Sequence, residues 1–174
     1  MRAKSTLVIG GCRSGKSSHA LSLANQAGRE DKIFVATCVP QDNEMHQRVE
    51  SHRKERGKDW RTIEAPLEIH AVIRENSPQA QVILIDCLTL WTSNLLMKNE
   101  DQEYIREQAN LLTAGIQKSS CPVILVSNEV GLGIVPDNRL ARLFRDCAGM
   151  VNQIMAQTCE RVVMTVAGIP VTIK

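Results

Sequence analysis

The feature that most constrains the fold of this chain is a glycine-rich segment between a strand pattern and a helix pattern. The apolar run Ser5–Ile9 leads into a stretch that matches G-x-x-x-x-G-K-[ST], formed by Gly10, Gly11, Cys12, Arg13, Ser14, Gly15, Lys16 and Ser17. Its glycines let consecutive backbone N–H groups point at phosphate oxygens, and the following helix adds its positive end. A chance glycine-rich turn is disfavoured by the strand before it and the helix after it. The motif therefore predicts binding of a nucleoside triphosphate, with Lys16 at the outer phosphates and the Ser17 hydroxyl on Mg²⁺.

Composition excludes several other classes of protein. The 174 residues and the apolar fraction of 43% predict one globular domain spanning residues 1–174. Lysine and arginine total 21 against 19 aspartates and glutamates, and aromatic residues are only 3%. We therefore expect no nucleic-acid partner held by bulk charge or by base stacking. No apolar run reaches the roughly 18 residues of a membrane span, and none resembles a signal peptide, so we expect a cytoplasmic protein.

The alternation of short apolar runs and longer periodic segments predicts an α/β fold with a mostly parallel sheet and helices on both faces. The predicted strands are Ser5–Ile9, Lys32–Ala36, Val82–Asp86, Val123–Ser127, Arg161–Ala167 and, after a turn at 168–170, an edge strand Val171–Ile173. The predicted helices are Lys16–Ala27, Asn43–Gly57, Leu67–Glu75, Leu88–Met97, Glu103–Lys118 and Asn138–Cys159. Six widely spaced cysteines form no metal-binding pattern and are interpreted as mostly buried thiols.

A carboxylate, Asp86, ends the apolar strand pattern that starts at Val82. The carboxyl end of a buried parallel strand is where ligands gather in such sheets, and in P-loop proteins a carboxylate there holds Mg²⁺. The alternative is that Asp86 caps the helix that begins near Leu88. The two roles are compatible with each other.

A basic segment, His46 to Arg61, contains six lysines and arginines and only three acids. His52 shares one helical face with Met45, Val49 and Arg56. A neutral imidazole beside several cations suits attack on an anionic phosphorus. From the residues alone, however, the favoured interpretation is a solvated basic helix with one half-buried histidine.

A second loop, Glu129–Pro136, follows the strand pattern that ends at Ser127, and its two glycines and one proline predict a defined conformation. Asp137 is the predicted N-cap of the next helix. Arg139, Arg142 and Arg145 recur every three residues on that helix. They form either an exposed basic ridge or a contact with phosphate or a neighbouring subunit.

Several stretches in the same order resemble one known family over nearly the whole chain. They are residues 10–17, Ala36-Thr37, Arg48 to Arg56 with its central His52, Trp60-Arg61-Thr62, Ile85 to Trp91, Ser93 to Leu96, Asn128 to Pro136 and Asn138 to Arg142. The chain resembles the bifunctional adenosylcobinamide kinase / adenosylcobinamide-phosphate guanylyltransferases of cobalamin biosynthesis. The run Glu-Val-Gly-Leu-Gly-Ile-Val-Pro at 129–136 is far more specific than the P-loop.

The resemblance implies a P-loop NTPase of RecA-like fold that assembles as a homotrimer. It also implies phosphorylation of adenosylcobinamide by ATP or GTP, followed by transfer of GMP from GTP to adenosylcobinamide phosphate through a guanylylated His52. Lys16 and His52 are the implied catalytic residues. The implied nucleotide contacts are residues 10–17, Ala36, Thr37, Cys38, Arg53, Lys54, Glu55, Arg56, Glu64 and Asp86, with Mg²⁺ on Ser17 and Asp86.

One position departs from the family pattern: Gly57 stands where relatives usually have proline. Glycine loosens the end of a helix, which leaves the length of the preceding helix open. We hypothesise that Gly57 is a hinge that lets the segment bearing His52 move between the two reactions.

Three rival functions differ in the residues they require. A plain small-molecule P-loop kinase would use Lys16, Ser17 and Asp86 but not His52. A GTP switch would need N-K-x-D where the chain has Asn-Glu-Val-Gly at 128–131, and a glycine soon after Asp86. A nucleic-acid-dependent RecA-like motor conflicts with the near-neutral charge and the five aromatic residues.

Overall fold

Successive apolar side chains point to opposite faces of the sheet, so both of its faces are buried. The computed structural model describes residues 4–39, 57 and 59–174. Its strands are β1 (Ser5–Gly10), β2 (Lys32–Ala36), β3 (Trp60–Glu64), β4 (Val82–Asp86), β5 (Val123–Asn128), β6 (Arg161–Val166) and β7 (Ile169–Thr172). They form one sheet in the order β3-β2-β4-β5-β1-β6-β7, in which only β7 runs antiparallel to its neighbour.

Helices cover both faces of this sheet, as the sequence predicts. They are α1 (Lys16–Ala27), α2 (Ile69–Asn76), α3 (Leu88–Lys98), α4 (Gln102–Lys118) and α5 (Arg139–Thr158). Ala20 and Ala24 of α1 pack on the face that carries Val8 and Leu84. The other four helices pack on the opposite face. The period-2 alternation of strand side chains produces these two cores.

Strand β3 was missed by the sequence analysis. Trp60–Glu64 forms the edge strand beside β2, and its side chains are half-buried or exposed. Because it lacks the continuous apolar run of a strand covered on both faces, its residues do not stand out in the sequence. The predicted helix Asn43–Gly57 lies almost entirely outside the described residues.

Two local predictions at turns are wrong by one or two residues. Asn138, not Asp137, caps α5, because its side chain accepts a hydrogen bond from the N–H of Ala141. The last turn is at Ala167 and Gly168, which have φ of 51° and 83°, and not at 168–170. Pro170 instead lies within β7, which is tolerated because this strand has a partner on one side only.

None of the helices in the described parts of the chain combines the length and apolar character needed to cross a bilayer.

Candidate functional site

The glycine-rich segment forms a loop from the carboxyl end of β1 to the first turn of α1. Gly15 has φ of 88°, a conformation that favours glycine, and an added Cβ would lie 3.1 Å from the Cα of Gly168. Lys16 and Ser17 are the first two residues of α1. The Lys16 ammonium donates a hydrogen bond to the carbonyl oxygen of Gly11 at 3.0 Å, so it lies against the loop.

The hairpin formed by β6 and β7 contacts this loop and supports its conformation. The hydroxyls of Ser14 and Thr165 are 2.9 Å apart in a buried position, and the N–H of Gly168 donates to the Ser14 carbonyl at 3.0 Å. Gly10 lies at the same junction, where an added Cβ would come within 2.5 Å of the Ser14 hydroxyl. The loop is therefore shaped by contacts to residues about 150 positions away along the chain.

Residues predicted from three separate parts of the sequence form one row at this edge of the sheet. The register pairs Ala36 of β2 with both Glu64 of β3 and Asp86 of β4. Ala36 and Asp86 are half-buried and Glu64 is exposed. The row crosses the carboxyl ends of three neighbouring strands, which lie about 4.8 Å apart. Strand β5 separates it from β1 and the P-loop.

Thr37 fixes the backbone that follows Asp86. Its wholly buried hydroxyl donates to the carbonyl of Cys87 at 2.8 Å and accepts from the N–H of Cys87 at 2.7 Å. The side-chain amide of Asn94 donates to the carbonyl of Thr37 at 2.8 Å. The hydroxyl of Thr37 thus positions the end of β4, a role that the sequence did not indicate.

The donor set fits Mg²⁺ of the kind held in P-loops. Ser17 and Asp86 supply a hydroxyl and a carboxylate, the hard oxygen ligands that Mg²⁺ prefers, and the rest of its shell normally comes from phosphates and water. Among the described residues no group of three or more His, Cys, Asp or Glu side chains could hold a metal by itself. The residues therefore fit a metal that binds together with the nucleotide.

The end of β5 is anchored to the P-loop and to two helices. The N–H of Glu129 donates to the carbonyl of Gly10 at 2.9 Å, and the N–H of Asn128 donates to the hydroxyl of Thr89 at 2.7 Å. Buried Asn152 of α5 accepts from the Ser127 hydroxyl at 2.6 Å and donates to the Asn128 carbonyl at 3.1 Å. The sequence analysis missed this network, although an asparagine on the apolar face of a predicted helix was a usable signal.

Two of the three regularly spaced arginines have a role that neither sequence interpretation anticipated. Arg142 donates to the carbonyls of Pro136 and Asp137 at 3.1 and 2.6 Å, and Arg145 donates to the carbonyl of Gly131. Arg139 instead pairs with Glu100 at 2.6 Å. Two of the three arginines therefore hold the loop at 129–137 in shape. That loop exposes Leu132, Ile134 and Val135.

Two cysteines near the site differ in exposure. Cys12, in the P-loop, is exposed. Cys87 is buried, and burial together with the nearby Asp86 charge raises the pKa of its thiol to about 11. Cys87 therefore stays protonated near neutral pH, whereas Cys12 is open to solvent.

The predicted nucleophile His52 and the adjoining Arg53, Lys54, Glu55 and Arg56 lie outside the described residues. Gly57 is described and exposed, and the nearest described atom to an added Cβ would be a carboxylate oxygen of Asp59 at 3.9 Å. The hinge hypothesis stays a prediction.

Fold and loop together define a class: this is a P-loop protein of RecA-like fold. The KaiC-like protein PH0186 of Pyrococcus horikoshii has a similar fold, with a TM-score of 0.55 and 15% identity over 92% of this chain and 70% of that one. At this identity the likeness concerns the fold alone. It confirms the predicted fold class.

A sequence profile described as cobinamide kinase / cobinamide phosphate guanyltransferase matches residues 6–173. The bifunctional adenosylcobalamin biosynthesis protein CobP of Pseudomonas aeruginosa is 42% identical over 168 residues, covering 97% of this chain and 96% of that protein. The protein named CobU in Escherichia coli is 39% identical over 180 residues, covering 97% of this chain and 98% of its own. The chain belongs to the cobinamide kinase / cobinamide phosphate guanyltransferase family, which confirms the resemblance and a bifunctional enzyme rather than a plain kinase.

Proposed function

We propose that this enzyme phosphorylates adenosylcobinamide at its P-loop, with ATP or GTP as donor, and then transfers GMP from GTP to adenosylcobinamide phosphate through a guanylylated His52. The observation that carries the proposal is the P-loop at 10–17 together with the carboxylate of Asp86, which ends β4 two strands away from β1 in the same sheet, in a chain that matches the family over nearly its full length. The P-loop binds the nucleoside triphosphate, and the identity of the acceptor is inferred from the family.

In the kinase step, the substrate hydroxyl attacks the γ-phosphorus in line with the departing nucleoside diphosphate. Lys16 and Arg13 carry positive charge within the loop and would stabilise charge on the transferred group. Ser17 and Asp86 would hold Mg²⁺, which when bound neutralises charge on the phosphate oxygens. The remaining loop residues contribute backbone N–H groups.

In the nucleotidyl step, a ring nitrogen of His52 attacks the α-phosphorus of GTP. An N–P bond forms, the bond from the α-phosphorus to its bridging oxygen breaks, and pyrophosphate leaves with the electron pair. A phosphate oxygen of the acceptor then attacks the same phosphorus, and the N–P bond breaks to restore the imidazole. Positive charge on Arg53, Lys54 and Arg56 favours the neutral imidazole and reduces repulsion of the anionic substrate.

Further nucleotide contacts are proposed for the row Ala36, Glu64 and Asp86, together with Thr37, Cys38 and Glu55. The row lies at the same sheet edge as the P-loop, which is where α/β sheets bind ligands. We also propose a cytoplasmic homotrimer that needs no nucleic acid for activity. The exposed apolar side chains Ile169 and Val171 of β7 support assembly.

Incubation with GTP labelled at the α-phosphate tests the covalent route. We expect label that stays on the denatured protein and is lost in acid but not in base, as for a phosphoramidate. His52→Ala should abolish the label while GTP still binds. His46→Ala is the matched control, because it removes a histidine from the same basic segment, and it should label as the wild type does. Wild-type protein that phosphorylates cobinamide but never retains the α-label would refute the covalent route.

A further inference from the structure

The carboxylate of Glu129 lies directly after the strand that adjoins the P-loop strand. In the register between β1 and β5, Gly10 pairs with Asn128, and the N–H of Glu129 donates to the carbonyl of Gly10 at 2.9 Å. Gly10 is the first residue of the phosphate-binding loop. The main chain of Glu129 is therefore fixed beside the start of that loop.

The backbone before Glu129 is also held from the other side. Thr89 of α3 accepts the N–H of Asn128, and Asn152 of α5 binds both the Ser127 hydroxyl and the Asn128 carbonyl. Thr89, Ser127 and Asn152 are all buried. Because these hydrogen bonds fix the backbone, the Glu129 side chain can be held in a defined position, as catalysis requires.

The carboxylate itself is oriented but still accessible. One oxygen of Glu129 accepts the N–H of Gly131 at 2.5 Å, and a Cβ at position 131 would come within 2.8 Å of that oxygen. Arg145 donates to the carbonyl of the same Gly131. Glu129 is half-buried, and within residues 4–39, 57 and 59–174 no ion pair involves it. Among the described residues, its second oxygen has no hydrogen-bond or ion-pair partner, which leaves it open to a substrate group from that side.

The other carboxylates at this edge are less suited to meet an acceptor at the terminal phosphate. Among the described strands, Glu64 ends β3, which is separated from β1 by β2, β4 and β5. Four strand spacings of about 4.8 Å place its backbone roughly 19 Å from β1. Asp86 is the proposed ligand of Mg²⁺. Glu129 is therefore the carboxylate next to the P-loop that has no other proposed task.

We propose that Glu129 is the general base of the kinase step, an assignment that rests on the proposed function. As the substrate hydroxyl oxygen attacks the γ-phosphorus, the O–H proton passes to the Glu129 carboxylate. The new O–P bond forms, the bond from the γ-phosphorus to its bridging oxygen breaks, and the electron pair leaves on the nucleoside diphosphate. The proton on Glu129 then returns to solvent.

In the second reaction, GMP transfer, no proton has to be removed by Glu129. There the acceptor is a phosphate oxygen that is already ionised near neutral pH, and the nucleophile toward GTP is an imidazole. Loss of the Glu129 base should therefore separate two activities that share one nucleotide site.

The experiment uses Glu129→Gln in the full-length enzyme, since glutamine keeps the shape and accepts the Gly131 hydrogen bond but takes up no proton. Three rates are measured: phosphorylation of cobinamide, self-labelling by α-labelled GTP, and GMP transfer to preformed cobinamide phosphate. We expect the kcat of phosphorylation to fall by about 100-fold or more. The other two rates should stay within about twofold. Glu107→Gln, at an exposed position of α4, is the matched control and should change none of them.

A pH profile distinguishes a base from a structural residue. Wild-type kcat for phosphorylation should fall toward acid pH as a carboxylate takes up a proton, and Glu129→Gln should lose this limb. Glu129→Asp, which retains a shorter carboxylate, should recover part of the rate.

Unchanged phosphorylation by Glu129→Gln would overturn the proposal, and so would a parallel loss of all three rates, which would indicate a structural role. If wild-type enzyme fails to self-label, the failure lies in the proposed function and not in Glu129.

Discussion

At the residue scale, the shape of the P-loop depends on Gly10 in a way that its neighbour Gly11 does not share. An added Cβ at Gly10 would lie 2.5 Å from the Ser14 hydroxyl and 2.6 Å from the Thr165 hydroxyl, whereas one at Gly11 would meet no atom of the described residues within 4 Å. Both glycines match the same motif. Only the fold shows that their tolerance to substitution differs.

We therefore expect Gly10→Ala to break the Ser14–Thr165 contact and to lower the free energy of unfolding by about 1–3 kcal/mol, as overpacking does. Nucleotide affinity should fall as well, since the loop must shift. Gly11→Ala is the control and should change stability by less than about 0.5 kcal/mol. Urea unfolding and calorimetric titration with GTP measure both effects. Equal stability of the two variants would contradict this account.

At the element scale, β5 is joined to α3 and α5 by one buried polar network. Asn152 contributes both a donor and an acceptor to it, and within the described parts of the chain the Ser127 hydroxyl otherwise has only a 3.4 Å contact with Thr89. Buried polar groups that lose a partner keep their desolvation cost. The network thus links the stability of the sheet edge to one side chain of α5.

Asn152→Leu should lower the free energy of unfolding by about 1–3 kcal/mol, because leucine fills the space but leaves the Ser127 hydroxyl and the Asn128 carbonyl without their partner. Thermal or urea unfolding measures the change. Asn110→Leu makes the same exchange at an exposed position of α4 and should be nearly neutral. If Asn152→Leu were as stable as the wild type, the network would not contribute as inferred.

At the scale of the whole molecule, the last strand exposes an apolar stripe. Ile169 and Val171 of β7 and Ile173, one residue beyond its end, alternate along the C-terminal segment, so they share one face, and they are 66%, 50% and 61% exposed. Val166, paired with Ile169, is 52% exposed. Contiguous exposed apolar side chains are typical of surfaces covered on assembly.

We expect Val171→Lys to weaken the proposed homotrimer by placing a charge in this stripe. Light scattering after size exclusion should give three times the 19.3 kDa chain mass for the wild type and a lower average mass for the variant. Leu111→Lys, which adds the same charge at an exposed apolar position of α4, should leave the mass unchanged. A wild-type mass equal to one chain, or an unchanged Val171→Lys trimer, would refute this interface.

Much of the fold could be predicted because its signals are local. The strands Lys32–Ala36 and Val82–Asp86 and the helix Lys16–Ala27 have the predicted bounds, since apolar runs and turn residues mark them directly. The edge strand Trp60–Glu64 lacks such a run. Of the site, the P-loop and Asp86 were found from the pattern, while His52 came from the family resemblance and stays a prediction.

The sequence by itself determined the phosphate loop, the parallel α/β architecture and the family, because each depends on residues close together along the chain or on their order. Only the tertiary structure decided what Arg142, Arg145 and Asn152 bind, and that Thr165 and Gly168 support the P-loop. Those contacts join residues far apart in sequence, and a hydrogen bond depends on the distance between two atoms in space, which no local pattern specifies.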